Sequence, residues 1–469
     1  MSFNSIAFLL FFPIVCVCYF AIPAKHVKSR NLLLLVASYY FYMNWEPVYA
    51  ILLMTSTIVS YSAALGIEHF REENKKKLCL VSGVVLNLSI LFLFKYFNFF
   101  ASNIALALHS CGLGIDIPSF SLLLPIGISF YTFQLLGYTI DVYRGTVNAE
   151  RNFFTFALFA SFFPQLVAGP IERSKNLLPQ FKSQHRFDYE GVMAGLRLMV
   201  WGYFMKLVLA DRCGIYVDAI FNHVDKHNGG SFLVASLLFP FQIYGDFAGY
   251  SLIAIGAARI LGFRLMENFR RPYFSSSVGE FWRRWHISLS SWFKDYVYIP
   301  LGGNRVGVVR QYFNLMVTFV VSGIWHGANW TFVCWGCLHG ALLCIEKALG
   351  IGRQSYSGMR KFFHGVLTFV LVSFAWILFR ANTMCDAKTI IGGIFTNMGT
   401  PKPEFATFFA IGLSMIVLLC KEFSEEYNWE IRVAESRHWL VRHLYLSVMI
   451  AFIMLFGVLG GDQFIYFQF

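Results

Sequence analysis

One histidine stands inside a strongly apolar run, Val321-Ser-Gly-Ile-Trp-His-Gly-Ala-Asn-Trp330. An ionisable side chain at membrane depth is costly and ordinarily faces a cavity or a partner. A neutral imidazole takes up a proton near pH 7 with little tuning, so His326 is a candidate general base. Gly323 and Gly327 flank it and allow a helix or a ligand to approach closely. The competing reading is a structural histidine, hydrogen-bonded across helices.

A second stretch, Gly279-Glu-Phe-Trp-Arg-Arg-Trp-His-Ile-Ser-Leu-Ser-Ser-Trp-Phe-Lys294 and onward to Gly302-Gly303, places Arg283, Arg284, His286 and Lys294 among Trp282, Trp285 and Trp292. Arginines and aromatic rings together suit a nucleotide with phosphates and a stackable base. They equally suit an interfacial aromatic belt with snorkelling arginines, which leaves His286 and the glycine pair unexplained. A third set is polar residues in otherwise apolar segments: Gln134 in one, and Gln242, Tyr244, Asp246 and Tyr250 in another. A buried aspartate needs a partner, and an arginine or a tyrosine hydroxyl is expected for Asp246.

The elements that carry these residues follow from composition. Of 469 residues, 57% are apolar, 14% are charged and 52 are phenylalanine. About a quarter charged is usual in a soluble domain, so a soluble enzyme, a disordered chain and a secreted disulfide scaffold are excluded. What remains is an all-α polytopic membrane protein, with room for about ten to twelve crossings. About 11 transmembrane helices are expected, with re-entrant or broken helices within 120–140 and 231–262, where Pro125, Gly127, Pro240 and Gly249 interrupt the runs.

The net charge is +12, but the cations sit in short loops between apolar runs rather than in a free basic domain. That is the positive-inside pattern, not a nucleic-acid surface. Lys25–Arg30, Arg71–Lys77 and the arginine-rich stretch 263–311 are expected on the cytoplasmic side, and the N-terminus on the other. Residues 263–311 are read as short interfacial helices within one membrane domain, 1–469. The ten cysteines form no disulfide framework; Cys334 and Cys337 have C-x-x-C spacing, but no second pair follows. No metal is expected. Nor does the sequence contain a G-x-S-x-G elbow, a P-loop, a D-x-D pair or an HExxH helix.

Six motifs in order resemble the membrane-bound O-acyltransferases (MBOAT), in the bacterial branch that acetylates alginate. They are Leu124-Pro-Ile-Gly-Ile-Ser-Phe-Tyr-Thr-Phe-Gln134, Ala168-Gly-Pro-Ile-Glu-Arg173, Tyr244-Gly-Asp-Phe-Ala-Gly-Tyr-Ser251, Trp282-Arg-Arg-Trp-His-Ile-Ser-Leu-Ser-Ser-Trp292, Trp325-His-Gly327 and Phe464-Ile-Tyr-Phe-Gln-Phe469. The resemblance is nearly full length. It implies a multi-pass enzyme of a bacterial inner membrane with a central tunnel, taking acetyl groups from cytoplasmic acetyl-CoA. The final acceptor it implies is a polysaccharide outside, such as an alginate-like exopolysaccharide, cellulose or peptidoglycan, reached with a periplasmic partner protein.

On that resemblance His326 is the catalytic histidine, and His286 is a second histidine lining the tunnel. Arg283, Arg284 and Lys294 would hold CoA phosphates, with Trp285 or Trp292 near the adenine. Trp325, Asp246 and Gln134 would support the tunnel, and Ser322 or Asn329 would offer a donor to the oxyanion. Two rivals stand beside this reading: a transporter or flippase of a polysaccharide precursor, against which the lack of an inverted repeat counts, and D-alanyl transfer to teichoic acid.

Overall fold

The structure, a computed structural model, describes residues 1–113, 117–118, 120, 124–167, 169–352, 356–401, 404–429, 433, 436, 438–458 and 464–465. The described residues are helical and loop, with no strand. Two compact units divide the chain: Met1–Gly195 with Ala254–Met266, and Leu196–Ile253 with Glu267–Phe469.

The first unit contains α1 (Ile6–Ala21), α2 (Val27–Met43), α3 (Tyr49–His69), α4 (Glu73–Leu91), α5 (Phe97–Ser110), α6 (Ile128–Tyr143), α7 (Phe153–Ser161), α8 (Phe163–Leu166), α9 (Ser174–Gln180) and the start of α10 (Tyr189–Tyr203). Small and polar residues set its packing, as between helices that gain nothing from burying one apolar face against another in lipid. Asn87 of α4 donates to Ser60 of α3 at 3.1 Å, in the buried seam between them. The expected interruption near 120–140 is seen at Gly127, whose positive φ (75°) precedes α6. The apolar run after residue 153 breaks at Phe162, between α7 and α8.

The second unit continues α10 through a π-helical stretch (Phe204–Ala210) into α11 (Asp211–Phe221). It also holds most of α12 (Gly229–Ile260), α13 (Val278–Arg284), α14 (Ile287–Phe293), α15 (Val308–His326), α16 (Trp330–Ala348), α17 (Gly358–Arg380), α18 (Met384–Thr396), α19 (Phe405–Glu426) and α20 (Trp439–Phe456). The break expected within 231–262 does not occur: α12 runs unbroken for 32 residues through Pro240. A proline inside a helix frees a backbone acceptor and disturbs its neighbours. Here the missing N–H frees the Ser236 carbonyl, while the Tyr273 hydroxyl donates to the carbonyl of Pro240 itself at 2.6 Å; the helix runs on because most of it is buried inside protein.

Among the described residues, seven helical segments are long and apolar enough to span a membrane: Tyr49–His69, Glu73–Ser110, Tyr189–Phe221, Gly229–Ile260, Gly358–Arg380, Phe405–Glu426 and Trp439–Phe456. The chain is an all-α polytopic membrane protein. Seven is fewer than the expected eleven because α1, α2 and α6 have only 16, 17 and 16 residues, and because of the composition of α15 and α16. The last two have 19 residues each, but the faces they bury carry Asn314, Thr318, Ser322 and His326 beside Trp325, or Thr331 and His339 beside Phe332 and Trp335. Helices that face protein instead of lipid can be polar there. Their backbones meet at Gly323 and Gly336, where a Cβ on the first would collide with the Phe332 carbonyl oxygen and on the second with that of Phe319. The close approach expected at Gly323 is therefore that of a helix.

Candidate active site

Residues 267–288 hold His286 by two short runs lying side by side. Arg270 N–H donates to Arg284 O at 2.9 Å, and Ile287 N–H to Asn268 O at 2.8 Å. Between α13 and α14 His286 takes a left-handed conformation (φ 43°, ψ 54°), an uncommon state for a non-glycine residue that the surroundings must enforce. Its side chain is 1% exposed. Nδ1 lies 3.0 Å from Asn268 Oδ1, which also accepts from Ser288 Oγ at 2.9 Å. Asn268 Nδ2 donates to Ser251 Oγ at 3.1 Å, which orients the amide with its oxygen toward the histidine. An amide oxygen only accepts, so the proton is on Nδ1 and the ring's lone pair on Nε2. Burial lowers the His286 pKa to about 3, so the imidazole is neutral at ordinary pH.

His326 is the last residue of α15 and is 3% exposed. Trp325 joins the two histidines, its ring centre 4.9 Å from His326 and 6.2 Å from His286. On its other sides His326 meets Trp335 edge-on at 5.0 Å and Phe379 at 5.2 Å. Trp335 in turn contacts His339 at 4.9 Å, and His339 Nδ1 accepts the Trp282 indole N–H at 3.2 Å. The sequence-predicted His286, Trp325 and His326 thus form one buried cluster. Sequence reasoning missed Asn268, Trp335 and His339. Only His339 left a signal, since His339-Gly340 repeats the His326-Gly327 dipeptide.

The basic segment divides. Arg283 and Lys294 are exposed. Arg284 is largely enclosed and binds Glu426 through both terminal nitrogens (2.8 and 3.1 Å) and Glu280 at 2.6 Å. Arg271 and Lys361 reach the same Glu426 carboxylate, each at 3.1 Å. Burial favours the uncharged form of Arg284 and of Glu280. It is outweighed for Arg284 by its carboxylate partners and for Glu280 by Ser276 and Arg284, so the arginine's pKa is raised and the carboxyl's lowered. Ser277 caps α13 through its side chain, accepting from Glu280 N–H at 3.0 Å, which sets Glu280 to meet Arg284 one turn on. Trp285 is fully buried, stacked on Phe281 at 5.4 Å and packed on Trp376 at 5.1 Å; Trp292 is 6% exposed and lies against Tyr296.

Asp246 is paired, but neither with an arginine nor with a tyrosine hydroxyl as expected. Lys206, from the π-helical stretch, lies 2.7 Å from Asp246 and 2.8 Å from Asp211. The other Asp246 oxygen accepts the Ile465 N–H at 2.6 Å. The Tyr244 hydroxyl, two residues away, donates to Glu422. Phe464 packs against Phe247 at 5.5 Å, and Phe247 meets His286 edge-on at 4.6 Å. Residues 466–469 of the terminal motif, and Ala168 of another, lie outside the described residues. Ser322 is buried one turn before His326. Asn329 caps α16, accepting from Thr331 N–H at 3.1 Å and donating to Asn382 O at 2.8 Å. Gln134 belongs to the first unit, where its amide donates to Phe159 O at 2.7 Å. Among the described residues no three of His, Cys, Asp or Glu are grouped to hold a metal ion.

A helical membrane protein with a buried histidine pair beside a basic segment defines a class, and comparison with known proteins agrees. Residues 149–386 match the model of MBOAT, the membrane-bound O-acyltransferase family. The chain belongs to that family and is a membrane-bound O-acyltransferase. It is 42% identical over 400 residues to the probable alginate O-acetylase AlgI of Pseudomonas syringae pv. tomato, covering 84% of this chain and 75% of that protein. It is 36% identical over 427 residues to the peptidoglycan O-acetyltransferase of Helicobacter pylori, covering 84% and 80%. A more distant likeness, 32% over 241 residues, is to the teichoic acid D-alanyltransferase of Streptococcus thermophilus, covering 49% and 58%. An acyl-transferring family leaves the transporter reading without support.

Proposed function

We propose that the protein transfers an acetyl group from cytoplasmic acetyl-CoA to hydroxyls of an extracytoplasmic polysaccharide, with a periplasmic partner protein in the delivery. The acceptor class, an alginate-like exopolysaccharide, cellulose or peptidoglycan, is supported by the likeness to an alginate O-acetylase and a peptidoglycan O-acetyltransferase. The membrane is a bacterial inner membrane, with the basic segment 263–311 at the cytoplasmic side and the N-terminus at the other.

The observation that carries the reading is the buried line of His286, Trp325 and His326. His326 takes the proton of the acceptor hydroxyl as its oxygen attacks the thioester carbonyl. The C–O bond forms and the carbonyl π pair moves to oxygen. Collapse then breaks the C–S bond, and the departing thiolate takes the proton from His326. His286, neutral and fixed in tautomer by Asn268, supplies a second basic nitrogen along the tunnel wall. Exposed Arg283 and Lys294 meet the CoA phosphates, with Trp292 nearer the adenine, while Arg284 holds the segment's shape through Glu426 and Glu280. Trp285 walls the core.

The test uses purified protein in nanodiscs and acetyl-CoA labelled in the acetyl group. His326-dependent release of CoA supports the reading, and no release with glycan and candidate partner present overturns it. The likeness to a D-alanyltransferase supports a second reading, so the same assay with a D-alanyl carrier thioester is its arm.

A further inference from the structure

Trp335 has a hydrogen-bond donor with nothing to bind. The residue is fully buried in α16, and its indole Nε1 has no hydrogen-bond partner among the described residues and no exposure to solvent. An indole N–H can only donate, and a buried donor left unmade is costly enough that native proteins rarely keep one without a use. This one belongs to the ring that meets His326 edge-on at 5.0 Å. The side chain is held firmly: it stacks on Trp376 at 5.8 Å and contacts Trp282, His339 and Phe379 edge-on at 5.7, 4.9 and 5.3 Å. Trp282 spends its own indole proton on His339.

We propose that Trp335 is a catalytic residue whose indole N–H binds the acyl carbonyl oxygen and stabilises the negative charge that develops there. Every O-acyl transfer needs such a donor where the tetrahedral oxyanion forms, and a rigid donor already aimed in a dry site is the most effective kind. The Trp376 indole N–H is likewise without a partner among the described residues, but that ring makes no ring contact with His326; the polar alternatives are spent or weaker. The Asn329 amide is committed to capping α16 and to Asn382. The Ser322 hydroxyl can turn, and a helical serine readily bonds the carbonyl of the preceding turn. In the step itself, the acceptor oxygen bonds the carbonyl carbon, His326 takes the hydroxyl proton, and the carbonyl π pair comes to rest on the oxygen facing Trp335. The C=O re-forms as the thiolate leaves with the proton from His326. This assignment rests on His326 being the base.

The experiment replaces the indole N–H while keeping the ring. Trp335→Phe and the isosteric exchange of Trp335 for 3-benzothienylalanine, which has sulfur in place of N–H, are assayed for thioester turnover in nanodiscs. Both should lower kcat by about 10²–10³-fold while leaving KM for the thioester within about three-fold. A carbonyl-labelled acyl thioester bound to the protein should show its C=O stretch at lower frequency in wild type than in either variant. Trp376→Phe, a packing control from the ring stacked on Trp335, should retain kcat within about three-fold. If the benzothienyl protein, folded and thermally stable, turns over at the wild-type rate, or if the C=O stretch does not move, the N–H only points at a neighbouring ring and the assignment is wrong. Should His326→Ala remain active, the base assignment fails instead, independently of what the 335 variants do.

Discussion

Asn268 Oδ1 accepts from Nδ1 of His286 at 3.0 Å, and this one contact decides which nitrogen of the ring is basic. A ring nitrogen that donates to a fixed oxygen leaves its lone pair on the opposite side. The partner is itself fixed, by Ser251 on α12 and Ser288 on α14. The residue that fixes the His286 ring is therefore a neutral amide, and its effect is on geometry and tautomer rather than on charge.

His326→Ala is expected to lower acetyl transfer by about 10²–10⁴-fold, the span that a positioned general base supplies. Gel filtration and thermal unfolding should show the variant folded. Wild-type CoA release in that variant would return His326 to a packing role.

Asn268→Asp keeps the acceptor oxygen but adds a charge. A carboxylate next to Nδ1 favours the imidazolium, so the His286 pKa should rise from about 3. The acid limb of the pH–rate profile should move to higher pH. A profile superimposable on wild type would mean that His286 takes no part in turnover.

Stability should fall in acid because His286 is buried neutral. Its folded pKa is near 3 and its unfolded value near about 6.5, so below pH 6.5 the unfolded chain binds the extra proton. Stability is fully present above about pH 6.5 and is lost as pH drops toward 3, with a slope of up to about 1.4 kcal/mol per pH unit from this group. His286→Gln should flatten the dependence of Tm on pH between 6.5 and 4 by one proton's worth. An unchanged slope would place the linked proton elsewhere.

The two neighbouring arginines should behave differently. Arg283→Ala with Lys294→Ala is expected to raise KM for acetyl-CoA several-fold with little change in Tm, since both side chains are exposed. Arg284→Ala strips one cation from Glu426, which is 6% exposed, and should cost about 1–3 kcal/mol of stability. Equal effects on KM and Tm in both proteins would contradict the division.

Lys206→Met removes the cation between two buried carboxylates. It should destabilise the protein by about 3–5 kcal/mol, more than Asp211→Asn, because two acids are then left facing each other without a cation. Thermal unfolding of the two variants side by side would show it, and equal Tm values would count against a shared lysine.

Much of this was legible in the sequence, and what was not has a common cause. His326 and Trp325 stood out because a histidine between glycines in an apolar run is expensive. The basic segment stood out by its loop position. The need for an Asp246 partner was legible, but its identity was not, since Lys206 lies in a π-helical stretch of another helix. Glu426, 142 residues after Arg284, was likewise invisible to local reading. Pro240 read as a break because the sequence does not show that the helix around it is buried inside protein. The shortfall in spanning helices came partly from α15 and α16, which bury polar side chains in their shared seam, and partly from the short α1, α2 and α6.

The bond from Ile465 to Asp246 connects residues 219 positions apart. At about 5–20 residues per second, a ribosome needs about 10–40 s to make that stretch. Through that time Asp246 has its lysine but not its backbone donor, and Phe247 beside His286 lacks Phe464. The packing beside His286 therefore closes only after a stretch made long after it has folded back onto α12, so the order of synthesis separates burial of the ring from completion of its surroundings.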